Sequence, residues 1–194
     1  MTIVLASTSP YRRELLQRLR LPFDVIAPAV DEARLPGEAP LAMALRLAEA
    51  KAADVARRVP EAVVIGSDQM AELDGEPIGK PLTHEAALAQ LLRAQGRSMV
   101  FHTAVAVAAG GAIQVASVPT AVWFRRLDAS ALDAYLRSDR PYDCAGAAKI
   151  ESLGIALVER VESDDPTALV GLPLIRLTSM LAAAGVDVLG LRTT

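Results

Sequence analysis

Five short stretches of this 194-residue chain carry charged residues in patterns that could do chemistry. In "ASTSPYRRELL", Ser9 suits a helix N-cap and Pro10 the first helical position. The N-terminal end of a helix dipole is positive and favours Asp or Glu in the first turn. Arg12 and Arg13 stand there instead, behind the hydroxyls of Ser7, Thr8 and Ser9. Cations, hydroxyls and free backbone N–H groups at one helix start describe a site for an anion. The competing reading is that both arginines bend away into water.

The second stretch, "VVIGSDQ", puts Asp68 after a buried apolar run, with Gly66 and Ser67 expected to let the chain turn. A carboxylate at the C-terminal end of a strand, beside a cleft, suits a metal ligand or a general base; an ordinary turn or cap aspartate is the alternative. Asp31-Glu32 closes an extended segment. Such hard oxygen ligands suit Mg²⁺ or Mn²⁺ completed by substrate phosphates, or simply a solvated turn. "GEPIGKP" is no P-loop, because Gly75 to Gly79 is one residue too short and Pro81 replaces the required Ser or Thr. Lys80 and Lys51 stay open as phosphate-binding point charges or as surface lysines. In "YDCAGAAKIESLGI", Gly146 and Gly154 imply unusual backbone or close approach. Lys149 and Glu151 would face one side if that stretch were extended.

Other chemistries drop out. His84, His102 and the single Cys144 make no zinc ligand set, and there is no G-x-S-x-G nucleophile elbow. One cysteine precludes an intrachain disulfide, fits a reducing compartment and reads as a buried structural thiol. Trp123, alone in an apolar strand, reads as core. A net charge of −3 argues against binding polymeric nucleic acid. No apolar run approaches the roughly 18–20 residues that span a bilayer. The apolar start is too short for a signal peptide and has no charged leader, so the expectation is a soluble cytoplasmic protein with no membrane partner.

The elements that must position these residues alternate along the chain. "TIVLAS" reads as a strand and Pro10 to about Arg20 as a helix with Leu15, Leu16 and Leu19 on one face. "FDVIAPAVDE" reads as extended, and "APLAMALRLAEAKAADVARRV" as a long helix. "AVVIGSDQMAEL" is a strand turning at Asp74-Gly75. A helix capped by Thr83 and stopped by Gly96 follows, then a hairpin turning at Gly110-Gly111. The helix "DASALDAYLRS", the strand "GIALVERVES" and the helix "GLPLIRLTSMLAAAG" close the chain. This predicts one α/β domain over residues 1–194, a mixed sheet flanked by helices. With 52% hydrophobic but only 4% aromatic residues, its core must rest on Leu, Val, Ile and Ala.

Taken together and in order, "LASTSPYRRELL", "VDE", "AEAKA", "VIGSDQ", "IGKPLT" and "CAGAAKIESLGIALVERVESDDPTALVGLPL" resemble the Maf family of nucleoside triphosphate pyrophosphatases. The resemblance covers almost the whole chain. It implies a twisted mixed sheet in two lobes with an active-site cleft, as in house-cleaning triphosphate pyrophosphatases, and a homodimer. It also implies hydrolysis of a nucleotide to its monophosphate and pyrophosphate with a divalent cation, Mg²⁺, Mn²⁺ or Co²⁺. Ser7, Arg12, Glu32, Lys51, Asp68 and Lys80 fall on the family's active-site positions. Of these, Ser7, Arg12, Lys51 and Lys80 would meet phosphate, Glu32 and Asp68 would hold the metal, and Asp68 matches the proton acceptor. Arg13 has no assigned role.

Tyr11, Gln69 and Glu151 look like the base-reading residues of the branch acting on 7-methyl-GTP, although Tyr11 stands where that branch is expected to have Trp. N7-methylated guanine is cationic, so a ring face could attract it and a carboxylate could accept from its N1–H and N2–H₂. The pyrimidine-directed branch, acting on dTTP and UTP, typically has Arg at the position of Tyr11 and a "GADT"-like strand end. A dTTP/UTP pyrophosphatase, or a non-catalytic nucleotide-binding regulator of cell division, are the alternatives the family leaves open.

Overall fold

The apolar run Ile3–Ala6 forms β1, buried at every position, as a strand covered on both faces must be. A computed structural model of the chain describes residues 2–190; the domain expected over 1–194 extends past these at both ends. After β1 come α1 (Pro10–Gln17), β2 (Asp24–Val25), α2 (Pro40–Arg58), β3 (Val63–Leu73) and β4 (Glu76–Ile78). Then follow α3 (His84–Ala94), β5 (Ser98–Ala109), β6 (Ala112–Phe124), α4 (Ala129–Asp139), β7 (Val158–Ser163) and α5 (Leu174–Ala183). The strands form one mixed sheet in the order β2-β1-β3-β5-β6-β7, with β4 paired to β3. β1 is parallel to β2 and β3, and the other pairs are antiparallel. The α/β class and the mixed, helix-flanked sheet expected from the sequence are both present.

The long strands β3, β5 and β6 hold two lobes together. At one end, Val63, Ile65, Val105 and Val107 pack with Leu15, Leu16, Leu177 and Leu181 of α1 and α5. On the reverse face of that end, Val64, Ala104 and Ala106 pack with Ala44, Ala48 and Ala52 of α2. At the other end, Ala71, Leu73, Met99 and Phe101 pack with Leu91, Leu132 and Leu136 of α3 and α4. Between the two ends the strands switch from apolar to polar at Ser67, Asp68, Gln69 and Thr103. A sheet can carry polar side chains there only if each finds a partner.

Both tight hairpins are where the sequence puts them. Asp74 and Gly75 take φ 57° and 83°, and Gly110 and Gly111 take φ 56° and 81°, the left-handed pair that a two-residue type I′ turn needs. Thr83 caps α3, its Oγ1 accepting from Ala86 N–H at 3.2 Å. Four expectations change. The strand read in "GIALVERVES" starts only at Val158, because Leu153–Leu157 wind into a short 3-10 helix. The extended segment "FDVIAPAVDE" contracts to Asp24–Val25, since Pro28 brings no N–H to a ladder and the chain beyond leaves the sheet. α1 ends at Gln17, and Arg20 turns the chain at φ 55°. Trp123 is half-buried rather than core. Strand alternation sends its neighbours Val122 and Phe124 inward, and the Arg160 guanidinium stacks on its ring 3.7 Å from the centroid. Among the described residues, no helix is long and apolar enough to cross a membrane.

Candidate active site

The site forms where α2 crosses β3. A Cβ on Gly66 would lie 2.3 Å from the Ala48 carbonyl oxygen and 2.7 Å from the Ala52 nitrogen. Gly66 therefore makes no turn; it lets the helix backbone approach the strand. β3 runs straight through this point, as the strand reading of "AVVIGSDQMAEL" has it, so Asp68 lies in mid-strand and not at the strand end that the carboxylate motif suggested. It is the parallel neighbour that stops there: β1 pairs with β3 only as far as Ala6 opposite Gly66. Two residues on, Asp68 projects into the space that β1 vacates.

Lys51 comes down from α2 to meet it. Its Nζ lies 2.7 Å from Asp68 Oδ1 and 2.7 Å from Glu32 Oε1. Lys51 and Asp68 are buried, and Glu32 approaches from the exposed coil after β2. A buried ammonium demands such partners, because leaving it unpaired would forfeit several kcal/mol of hydration. Arg12 joins this cluster from the first turn of α1. Its Nε donates to the Gly171 carbonyl at 2.9 Å. Burial lowers its pKa, while Asp68 and Glu32 act in the opposite direction; an arginine stays charged regardless. Arg13 is exposed and outside the cavity. The two readings of the double arginine thus divide between its members, one inward and one in solvent.

These groups line a cavity of about 500 Å³, which Ser7 and Lys80 also border. Ser7 is buried, and its Oγ accepts from Ser9 N–H at 3.1 Å. Lys80 is exposed on the short connection after β4.

A second group in the same cavity surrounds Tyr11. Its hydroxyl lies 3.5 Å from Asp143 Oδ2 and 3.9 Å from Cys144 Sγ. Burial, Cys144, Asp143 and Glu151 all raise its pKa. Cys144 is half-buried in the cavity wall, not in the core, because Asp143, Cys144 and Ala145 together line that wall. Burial first, then Asp143, pushes its thiol up to about 11, so it is protonated at neutral pH. The stretch with Lys149 and Glu151 is a turn, not extended: Ser152 and Gly154 N–H both donate to the Lys149 carbonyl at 3.1 Å. Both glycines there meet the expectation of close approach. A Cβ on Gly154 would lie 2.5 Å from the Lys149 oxygen, and Gly146, at φ 73°, would meet Met99 Sδ at 2.7 Å.

Gln69 shows what sequence adjacency hides. Successive strand residues point to opposite faces, so Asp68 faces α2 and Gln69 faces away from it. Gln69 Nε2 donates to Thr103 Oγ1 at 2.9 Å, Leu169 O at 3.0 Å and Ala168 O at 3.1 Å. Thr103 donates to Ala168 O at 2.8 Å, and Ser67 Oγ–H is shared between Ala104 O and Gly171 O. The polar seam between the lobes thus seats the loop 168–171, which in turn orients Arg12. Gln69 borders the cavity with its amide nitrogen committed to that loop.

Sequence reasoning missed Asp165, 1% exposed, which anchors the same loop. Its Oδ1 accepts from Thr167 N–H and Oγ1–H, and its Oδ2 from Ile175 N–H at 2.6 Å. The available signal is local: in "DDPT" an aspartate two residues before a threonine can accept from its N–H and hydroxyl.

For a divalent cation the donor set fits one particular kind of site. Asp68 and Glu32 each place an oxygen on the same Lys51 nitrogen, close enough to share a cation. No group of three or more His, Cys, Asp or Glu converges for a metal among the described residues. Two carboxylates suit a hard ion that takes its other ligands from water and substrate phosphate.

The sequence model of the family described as "Maf-like protein" matches residues 2–184. A 7-methyl-GTP pyrophosphatase of Polaromonas sp. strain JS666 is 60% identical over 186 residues, 95% of this chain and 85% of the relative. One of Thiobacillus denitrificans is 59% identical over 190 residues, 97% and 94% of the two chains. One of Bordetella pertussis is 58% identical over 185 residues, 95% and 93%.

Proposed function

The chain belongs to the Maf family, and from that premise we propose that it hydrolyses 7-methyl-GTP to 7-methyl-GMP and pyrophosphate. One observation carries this reading beyond the family: a single cavity holds a cation–carboxylate cluster and, beside it, an aromatic ring among acids. The first suits a triphosphate and the second a cationic base. Tyr11 and Arg12 are consecutive on α1, so base and phosphate recognition share one rigid element.

The chemistry follows from the charges. Arg12, Lys51 and Lys80 neutralise the phosphates, and Ser7 Oγ–H adds a donor. As the triphosphate enters, its oxygens become partners for the Lys51 ammonium, and Asp68 and Glu32 are relieved of it. Asp68 then takes a proton as water attacks the α-phosphorus. The new bond joins water oxygen to that phosphorus, and the bond to the β-phosphate oxygen breaks. Arg12 and Lys80 meet the charge that grows on the departing pyrophosphate. A divalent cation, Mg²⁺, Mn²⁺ or Co²⁺, belongs to the proposal; held by Glu32 and Asp68 it would polarise the phosphate and acidify the water. Gln69 contributes by seating the loop that orients Arg12, and Glu151 accepts from the guanine edge.

A panel of nucleotides with each metal tests the reading. The expected result is fastest turnover of 7-methyl-GTP with pyrophosphate as product. Release of orthophosphate, or dTTP or UTP as the best substrate, overturns it. From the family resemblance the proposal also takes a homodimer in the cytoplasm, which sedimentation and cell fractionation test.

A further inference from the structure

Lys149 is a cation already installed at the ring that is to receive a cationic base. Its Nζ lies 5.4 Å from the centroid of Tyr11. Its backbone is fixed on both sides: the N–H donates to Tyr135 Oη at 3.0 Å, and the carbonyl accepts from Ser152 and Gly154. A side chain on Gly154 would collide with that carbonyl. The turn therefore launches the lysine side chain from a rigid base. Among the described residues Lys149 has no carboxylate within 4 Å, although Glu151 is two residues away; its charge lies against the ring of Tyr11. Lys149, Tyr11 and Glu151 together border a second cavity of about 380 Å³, and Tyr11 and Glu151 border the main one as well. The ring is thus a shared wall with a cation at it.

We propose that Lys149, from the second cavity, competes with the substrate base for the π-electrons of the Tyr11 ring and sets how strongly the site discriminates N7-methylated from unmethylated guanine. This rests on the reading that Tyr11 faces the base. A second cation near one ring gains less than the first and is repelled by it, and Lys149 borders the second cavity rather than the main one, so it acts on the base through the ring. Lys149 accordingly holds selectivity below what Tyr11 and Glu151 would give alone.

The experiment compares kcat and KM for 7-methyl-GTP and GTP in the wild-type protein, Tyr11→Ala, Lys149→Met and Lys149→Arg. Lys149→Met keeps the backbone bonds and much of the side-chain bulk. It should raise the 7-methyl-GTP to GTP ratio of kcat/KM about three- to tenfold, through KM and with kcat little changed. Lys149→Arg keeps the charge and stacks better, so its ratio should stay at or below wild type. A ratio that is unchanged or lower in Lys149→Met overturns the inference, as does a ratio raised equally by Arg. Wild-type preference for 7-methyl-GTP that falls in Tyr11→Ala shows that the underlying reading stands while Lys149 is judged. Its absence removes the reading and this inference together.

Discussion

Two helix starts in this molecule solve the same problem in opposite ways. The first N–H groups of any helix have no intrahelical partner. In α5 they are satisfied from within: Ile175 N–H by Asp165 at 2.6 Å and Leu174 N–H by Thr167 Oγ1 at 2.9 Å. A buried carboxylate there complements the helix dipole. In α1 the cap is loose, with Ser9 Oγ 3.4 Å from Arg12 N–H. Its first turn has no acid, and Arg12 adds positive charge beside a cavity. One start carries its own anion and is closed; the other carries none and opens on the cavity. The arginine of the open start is held in place by the loop that the closed start anchors.

The largest effect should come from what the open start serves. Asp68→Asn is expected to lower kcat about 10²–10⁴-fold with little loss of melting temperature, by pyrophosphate release and circular dichroism. Arg12→Met should lower kcat/KM about 10²-fold. Its melting temperature should hold or rise, because a desolvated charge is removed and Gly171 O keeps Ser67 as a donor. The mirror case is Asp165→Ala, which should cost about 2–3 kcal/mol of stability in urea unfolding while folded molecules keep most of their kcat. Pyrophosphate at about 100 times its Kd should raise the wild-type melting temperature by roughly 5–10 °C, and by much less in Arg12→Met. Ser9→Ala should cost under about 1 kcal/mol, reflecting its long cap bond. If Asp165→Ala abolishes kcat at full folding, or if Arg12→Met melts far below wild type, the division between a structural and a functional helix start is wrong.

The sequence shows the parts of this molecule that depend on neighbours in the chain. The Asp74-Gly75 and Gly110-Gly111 turns, the Thr83 cap and the buried face of α1 all follow from spacing a few residues long. Ser7, Arg12, Glu32, Lys51, Asp68 and Lys80 were chosen by family resemblance, and they border one cavity. What stayed hidden depends on distant pairing. "AVVIGSDQMAEL" shows a strand as far as Leu73, but the turn expected at Gly66-Ser67 is absent, because pairing with β5 carries β3 straight through Asp68. Nor does "SDQ" say that Asp68 and Gln69 serve opposite faces. Cys144 and Trp123 looked like core because their residue types are usually buried, yet one closes a cavity wall and the other offers its face to Arg160. Asp165 was invisible because its partners include a helix start ten residues on.

Gly66 sets the dimension on which the site depends. With no side chain between them, the backbone of α2 rests on β3, and the strand works as a stop that fixes how far Lys51 can descend. Even a methyl group there would lift the helix, and the ammonium would rise with it from both Asp68 and Glu32. The reach of a flexible lysine is thus governed by contact between two main chains. The spacing of the candidate site is held by a residue with no side chain to offer it.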